Sequence, residues 1–164
     1  MSATAQRAPR FVPVEAKLRP PALTEDLAFR GVLVDRLIDA ESVPLVVVTG
    51  PPGYGKSVAV AQWAHADVRP FAWVTLDEDD DEPMVFTQYL VEALRRIGVV
   101  ESDRIGSVRP DQDTLEHVTV PLLGKCIARS AQPFVLVADG TEALRSTDRV
   151  GRSTVCQGGP GLMP

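Results

Sequence analysis

An apolar strand that runs straight into a glycine-rich loop constrains this fold more than any other feature of the chain. Leu45-Val46-Val47-Val48-Thr49 is a β-branched run without polar alternation, the pattern of a strand buried on both faces of a parallel sheet. Gly50 ends it, and Gly50-Pro51-Pro52-Gly53-Tyr54-Gly55-Lys56-Ser57 satisfies G-x-x-x-x-G-K-[ST]. Ser57 to Ala66, rich in Ala and Val and free of breakers, supplies the following helix and completes half of a βαβ unit.

A loop of this kind turns its backbone N–H groups inward around phosphate oxygens, which needs positive φ and close backbone approach. Gly53 and Gly55 can supply both. Pro51 and Pro52 carry no N–H, so the cradle falls to the later positions, at a helix N-terminus that favours negative charge. The expected nucleotide-binding set is Gly50, Gly53, Tyr54, Gly55, Lys56, Ser57 and Val58. Lys56 is expected to reach the β- and γ-phosphates of ATP or ADP, and the Ser57 hydroxyl to coordinate Mg²⁺.

Such a site also needs an acid at the end of a neighbouring buried strand. Phe134-Val135-Leu136-Val137-Ala138-Asp139 ends in one, and Asp139 is expected to hold Mg²⁺ through its water shell, pairing with Lys56 as the catalytic set. The structural alternative is a strand-end aspartate that opens a turn with Gly140. Many ATPases place a second acid directly after this aspartate, where this chain has Gly140. The expected activity is therefore at most slow ATP hydrolysis, with Glu142 the acid that could substitute.

The other segments fit an α/β protein. Asp26 to Ile38 reads as an amphipathic helix, Phe71 to Leu76 as a second strand, and Met84 to Ile97 as a helix. That last helix sets Phe86, Leu90, Ala93, Leu94 and Ile97 on one stripe, and Gly98 stops it. Residues 99–113 read as a polar loop, and Thr114 to Arg129 as a helix kinked by Pro121. Four prolines in residues 1–22 suggest an extended or disordered leader, and residues 145–164 lack periodicity and read as a disordered tail. The expectation is a partial P-loop NTPase domain over residues 23–144: a three-layer αβα arrangement with a parallel sheet, incomplete at about three strands.

Composition excludes several other classes. The net charge is −5, but the six consecutive acids Asp77 to Glu82 contribute −6 and leave +1 for the remainder. With 5% aromatic residues and no basic stripe, the footprint of a nucleic-acid binder is missing, and no DNA binding is expected. Asp77, Asp79 and Asp81 alternate like calcium ligands, but Glu82 stands where an EF-hand needs Gly and Gln88 where it needs Glu. A solvated loop is the expected reading. His65 and His117 lie apart from other ligand types, and Trp63 and Trp73 read as anchors between helix and sheet. Cys126 and Cys156 suggest neither a disulfide framework nor a metal pair, no apolar stretch approaches bilayer length, and a cytoplasmic location is expected.

Several segments together resemble the ATPase module of the large LuxR-type transcriptional regulators related to the maltose activator, of the STAND class of signalling ATPases. The matching pieces are Lys17-Leu18-Arg19-Pro20-Pro21, Arg30 with Leu33 to Leu37, GPPGYGKSVAVAQWA, AWVTLDEDDDEPMVFTQYLVEALRRIG and PFVLVADG. The phrase LDEDDDEP followed by F-x-x-Y-L distinguishes this family from other P-loop proteins. The resemblance, over residues 14–144, implies a switch in which ATP or ADP occupancy controls self-association. It implies phosphate and Mg²⁺ binding by Gly53, Gly55, Lys56 and Ser57, the metal-site acid at Asp139, and a position beside the base for the segment near Arg30. It also implies that the P-loop strand lies beside the Asp139 strand, and that a missing later strand leaves its other edge unpaired. The breakdown after Leu144 suggests a truncated or frame-shifted regulator. The alternative expectation is a non-catalytic fragment that pairs with full-length relatives.

Overall fold

The computed structural model describes residues 11–101 and 114–143, together with the backbone course of 153–158. Strands β1 (Leu45–Val48), β2 (Phe71–Thr75), β3 (Phe134–Asp139) and β4 (Ser153–Gly158) form one sheet in the order β1-β4-β3-β2. β2 and β3 pair in parallel from Phe71 opposite Val135 to Thr75 opposite Asp139. β4 runs antiparallel to both β3 and β1, so β1, β2 and β3 share one direction and end on the same edge of the sheet.

Three expectations change here. Four strands replace about three, and the sheet is mixed because β4 comes from the segment expected as a disordered tail. β4 also separates β1 from β3, where direct pairing was expected. The rest of that segment lies outside the described residues.

Side-chain alternation divides the core into two layers of packing. Ala72, Val74, Leu76 and Phe134 face helices α3 (Pro83–Arg96) and α4 (Val120–Ala128), around Tyr89, Ala93, Leu94 and Leu123. Trp73, Val135 and Val137 face helices α1 (Gly31–Asp39) and α2 (Lys56–Ala66), around Val34, Leu37, Val60 and Trp63. Helices therefore cover both faces of the β2–β3 pair. β1 departs from its expected burial on both faces: Val46 and Val48 pack toward α1 and α2, while Leu45 and Val47 are 49% and 38% exposed. Register puts Leu45 in line with Leu136, on the α3–α4 face, and those helices pack over β2 and β3 instead.

Local chemistry accounts for the helix ends. α1 begins five residues later than periodicity suggests, because the Arg30 N–H and Ala28 carbonyl are held by the Gln62 side chain on α2. α3 carries Pro83 in its first turn, where a missing N–H costs nothing. It ends at Gly98, whose φ of +77° lets Val99 N–H return to the Leu94 carbonyl. Pro121 cannot donate back along its helix, and the kink expected there takes the form of a widened π turn over Leu115–Thr119 leading into α4. α2 ends against a buried ion pair, Asp67 with Arg69 at 2.6 Å, to which the Trp63 indole N–H also donates.

Part of the expected leader is packed. A 3-10 turn over Glu15–Leu18 buries Leu18 in the α3–α4 layer. Phe11 meets the Tyr89 ring edge-on, Val14 N–H donates to the Tyr89 hydroxyl, and Arg96 pairs with Glu15. Lys17 Nζ lies 2.7 Å from carboxylate oxygens of both Asp77 and Asp80. Residues 1–10 lie outside the described residues, as do 102–113 of the expected polar loop. No described helix is long and apolar enough to cross a membrane.

Candidate functional site

The loop between β1 and α2 has the conformation its glycines were expected to supply. Gly53 and Gly55 have φ of +78° and +71°, and α2 starts at Lys56. The loop closes on itself through Tyr54 N–H donating to Pro51 O, and Ala59 N–H donates to Gly55 O to begin the helical ladder. Among the described residues nothing lies within 4 Å of where a Gly53 Cβ would stand, so backbone conformation rather than crowding calls for glycine there. Lys56 Nζ folds back to donate to the Gly50 carbonyl at 3.2 Å, which keeps the ammonium over the loop.

The strand end opposite completes the cluster. Ser57 Oγ donates to Asp139 Oδ1 at 2.9 Å. Asp139 is 9% exposed, and its carbonyl accepts from Leu76 N–H, so the register of β2 and β3 holds it in place. A hydroxyl and a carboxylate side by side are hard oxygen donors of the kind Mg²⁺ takes, and this ion is usually held by one or two protein oxygens plus phosphates. Among the described residues no cluster of three or more His, Cys, Asp or Glu is placed to hold a metal by itself. The donor set therefore fits a cation shared with a phosphate ligand.

Gly140 explains why no second acid follows Asp139. Its φ is +80°, and a Cβ there would lie 2.4 Å from the Leu76 carbonyl oxygen. The atom met is backbone, so admitting a Cβ requires a shift next to the bond between Leu76 N–H and Asp139 O. Glu142 sits exposed on the 3-10 turn Thr141–Ala143.

The remaining candidates separate from this cluster. His65 and His117 are exposed, whereas Trp63 and Trp73 are buried in the layer between the sheet and α1–α2. In the acidic run, Asp77 and Asp80 cap each other's backbone and share Lys17, so those two carboxylates are engaged in holding the chain. A cleft of about 370 Å³ lies near Pro70, Gly98, Cys126 and Phe134. It is at the opposite end of the strands from Asp139, and ligands of open α/β sheets bind outside the carboxyl ends.

Two site neighbours are not evident as contacts in the sequence. Arg30 Nη2 donates to the Tyr54 carbonyl at 2.7 Å, and buried Gln62 holds the Arg30 backbone. Gln62 did leave a signal: it is a polar residue inside the run Val60-Ala61-Gln62-Trp63, all of which is buried.

No protein-family profile matches the chain, and no solved structure matches it. Curated proteins do. Over 128 residues it is 35% identical to the HTH-type transcriptional regulator MalT of Cronobacter sakazakii, covering 77% of this chain and 14% of that protein. It is 34% identical over 128 residues to the serine/threonine-protein kinase PknK of Mycobacterium tuberculosis, covering 75% of this chain and 12% of the kinase. A MalT of Serratia proteamaculans is 37% identical over 82 residues, half of this chain and 9% of the relative. The chain spans about an eighth of the length of the first relatives, and it is similar to one segment of each.

Proposed function

We propose that this chain is an ATP- or ADP-binding P-loop module with Mg²⁺, of the STAND type found in LuxR-type regulators, and that nucleotide occupancy acts as a switch. The observation that carries the reading is the meeting of Ser57 and Asp139 beside a loop whose two glycines take positive φ. Gly53 to Val58 form the phosphate cradle, Lys56 leaves Gly50 O for the phosphates, and Ser57 with Asp139 hold the metal. Bound Mg²⁺ supplies neutralisation of phosphate charge.

The similarity supports a module rather than an output. Similar 128-residue stretches occur in a protein named as a transcriptional regulator and in one named as a kinase, and a shared segment is better suited to nucleotide sensing than to either named activity. Gly140 and the exposed position of Glu142 favour slow turnover over efficient hydrolysis, because neither residue sets a base beside an attacking water.

The test is calorimetry with Mg-ATP on the whole chain and on Lys56→Ala. Saturable heat that Lys56→Ala removes supports the proposal, and equal heats, or none from the parent chain, overturn it.

A second reading has its own observation. β1 ends the sheet order, with Leu45 and Val47 exposed, and such an edge can pair with another chain. A non-catalytic fragment would then associate with a full-length relative, and co-expression that yields no complex overturns this reading.

A further inference from the structure

We infer that Arg30 and Gln62 are positioning residues for the P-loop, forming a relay from α2 through the start of α1 that fixes the direction of the Tyr54–Gly55 peptide. The inference rests on the nucleotide reading of that loop and adds the device that keeps its cradle formed.

The relay starts inside the protein. Gln62 is buried on α2, about two turns beyond the loop. Its Oε1 accepts from Arg30 N–H and its Nε2 donates to Ala28 O, each at 3.0 Å. This two-point clamp fixes the short segment entering α1. From that base the Arg30 guanidinium reaches the Tyr54 carbonyl at 2.7 Å, a charge-assisted bond of the stronger class.

Peptide geometry carries the consequence. The described peptide bonds are all trans, so the Tyr54 C=O and the Gly55 N–H point in opposite directions. Holding the carbonyl on the Arg30 side turns the Gly55 N–H to the other side, as a donor available to an anion. Gly53 and Gly55 flank Tyr54 with the most permissive backbone available. The loop's own residues therefore do little to choose between the two directions of this peptide, and an external anchor decides it. Arg suits this task better than Lys, because its planar fork is pre-organised.

The experiment compares the parent chain with Arg30→Ala, Arg30→Lys, Gln62→Leu and the double variant R30A/Q62L. Two quantities are read: the affinity for Mg-ADP, and the Gly55 amide resonance without nucleotide. Arg30→Ala and Gln62→Leu should each weaken Mg-ADP binding about tenfold, the scale of one hydrogen bond to a charged group. The double variant should be little worse than the weaker single, since both act through one peptide, and Arg30→Lys should restore part of the loss. The Gly55 resonance should move or broaden in Arg30→Ala and Gln62→Leu. Arg30 is exposed, so its truncation carries the test even if Gln62→Leu fails to fold.

An unchanged Gly55 resonance in Arg30→Ala overturns the relay, including the case where affinity falls because Arg30 touches the ligand itself. A parent chain that does not bind Mg-ADP overturns the nucleotide reading, while the Gly55 comparison still decides the positioning claim.

Discussion

The Ser57 hydroxyl donates to Asp139 Oδ1 at 2.9 Å, joining the first turn of α2 to the end of β3 although β4 lies between β1 and β3. The parts of the candidate site are thus held together by a side-chain bond and by the shared direction of the strands, without direct pairing of the strands that carry them.

Asp139→Asn separates the structural from the ionic use of this residue. The amide oxygen can still accept from Ser57, so stability should fall by no more than about 1 kcal/mol, the usual worth of one hydrogen bond. The Mg²⁺ dependence of nucleotide binding should be lost with the charge. Urea unfolding alongside nucleotide titrations with and without Mg²⁺ reads both effects.

Gly140→Ala should destabilise the fold by roughly 2 kcal/mol or more. Positive φ alone costs an L-residue about 1–2 kcal/mol, and the new Cβ would meet the Leu76 carbonyl. Gly140→Glu should fare no better and should not raise ATP turnover, because the backbone must shift before the acid can fit. Thermal unfolding and phosphate release check the two halves of this expectation.

The packed segment 11–18, a strap held down through Lys17, should respond to pH at both extremes. Burial opposes the Lys17 charge, but its hydrogen bonds to Asp77 and Asp80 outweigh this and raise its pKa above 10.5. The hydrogen bond from Lys17 is the largest influence on Asp77 and holds its carboxyl below 3.8. A raised Lys pKa stabilises the fold fully below 10.5, and this contribution is lost as pH rises through the folded value. A depressed Asp pKa stabilises it above 3.8, and this contribution is lost as pH falls through the folded value. Between these limits the strap should stay docked. Lys17→Met should cost about 2 kcal/mol at pH 7, since it leaves buried Asp80 without its cation, and the cost should shrink below pH 3.8 and above pH 10.5. Denaturation series across pH for both proteins measure it.

Local signals made part of this structure legible. β3 is legible at its observed bounds and α2 within one residue, because an apolar run ending at Asp139 and a glycine loop opening a helix are written in adjacent residues. Trp63 and Trp73 are legible as core because each is a large apolar residue inside a helix or strand segment. What was not legible depends on distant partners. Leu45 and Val47 look as apolar as Val46 and Val48, and only the reach of α3 and α4 decides which face is covered. The strap needs Asp80, Tyr89 and Arg96, each more than sixty residues away from its partner in the strap. β4 is a six-residue segment in a glycine-rich stretch whose pairing lies wholly with β1 and β3. Of the candidate site, Lys56, Ser57 and Asp139 stand in a legible pattern, while the Gln62–Arg30–Tyr54 connection does not, since no sequence rule pairs those positions.

Nucleotide binding at the P-loop is decided by a residue-resolved amide NMR titration of the whole chain with Mg-ADP. Saturable shifts are expected, concentrated at Gly53, Tyr54, Gly55, Lys56, Ser57 and Val58, with Gly140 following through Asp139. An absence of shifts, or shifts confined to the cleft around Gly98 and Cys126, would contradict binding at the P-loop.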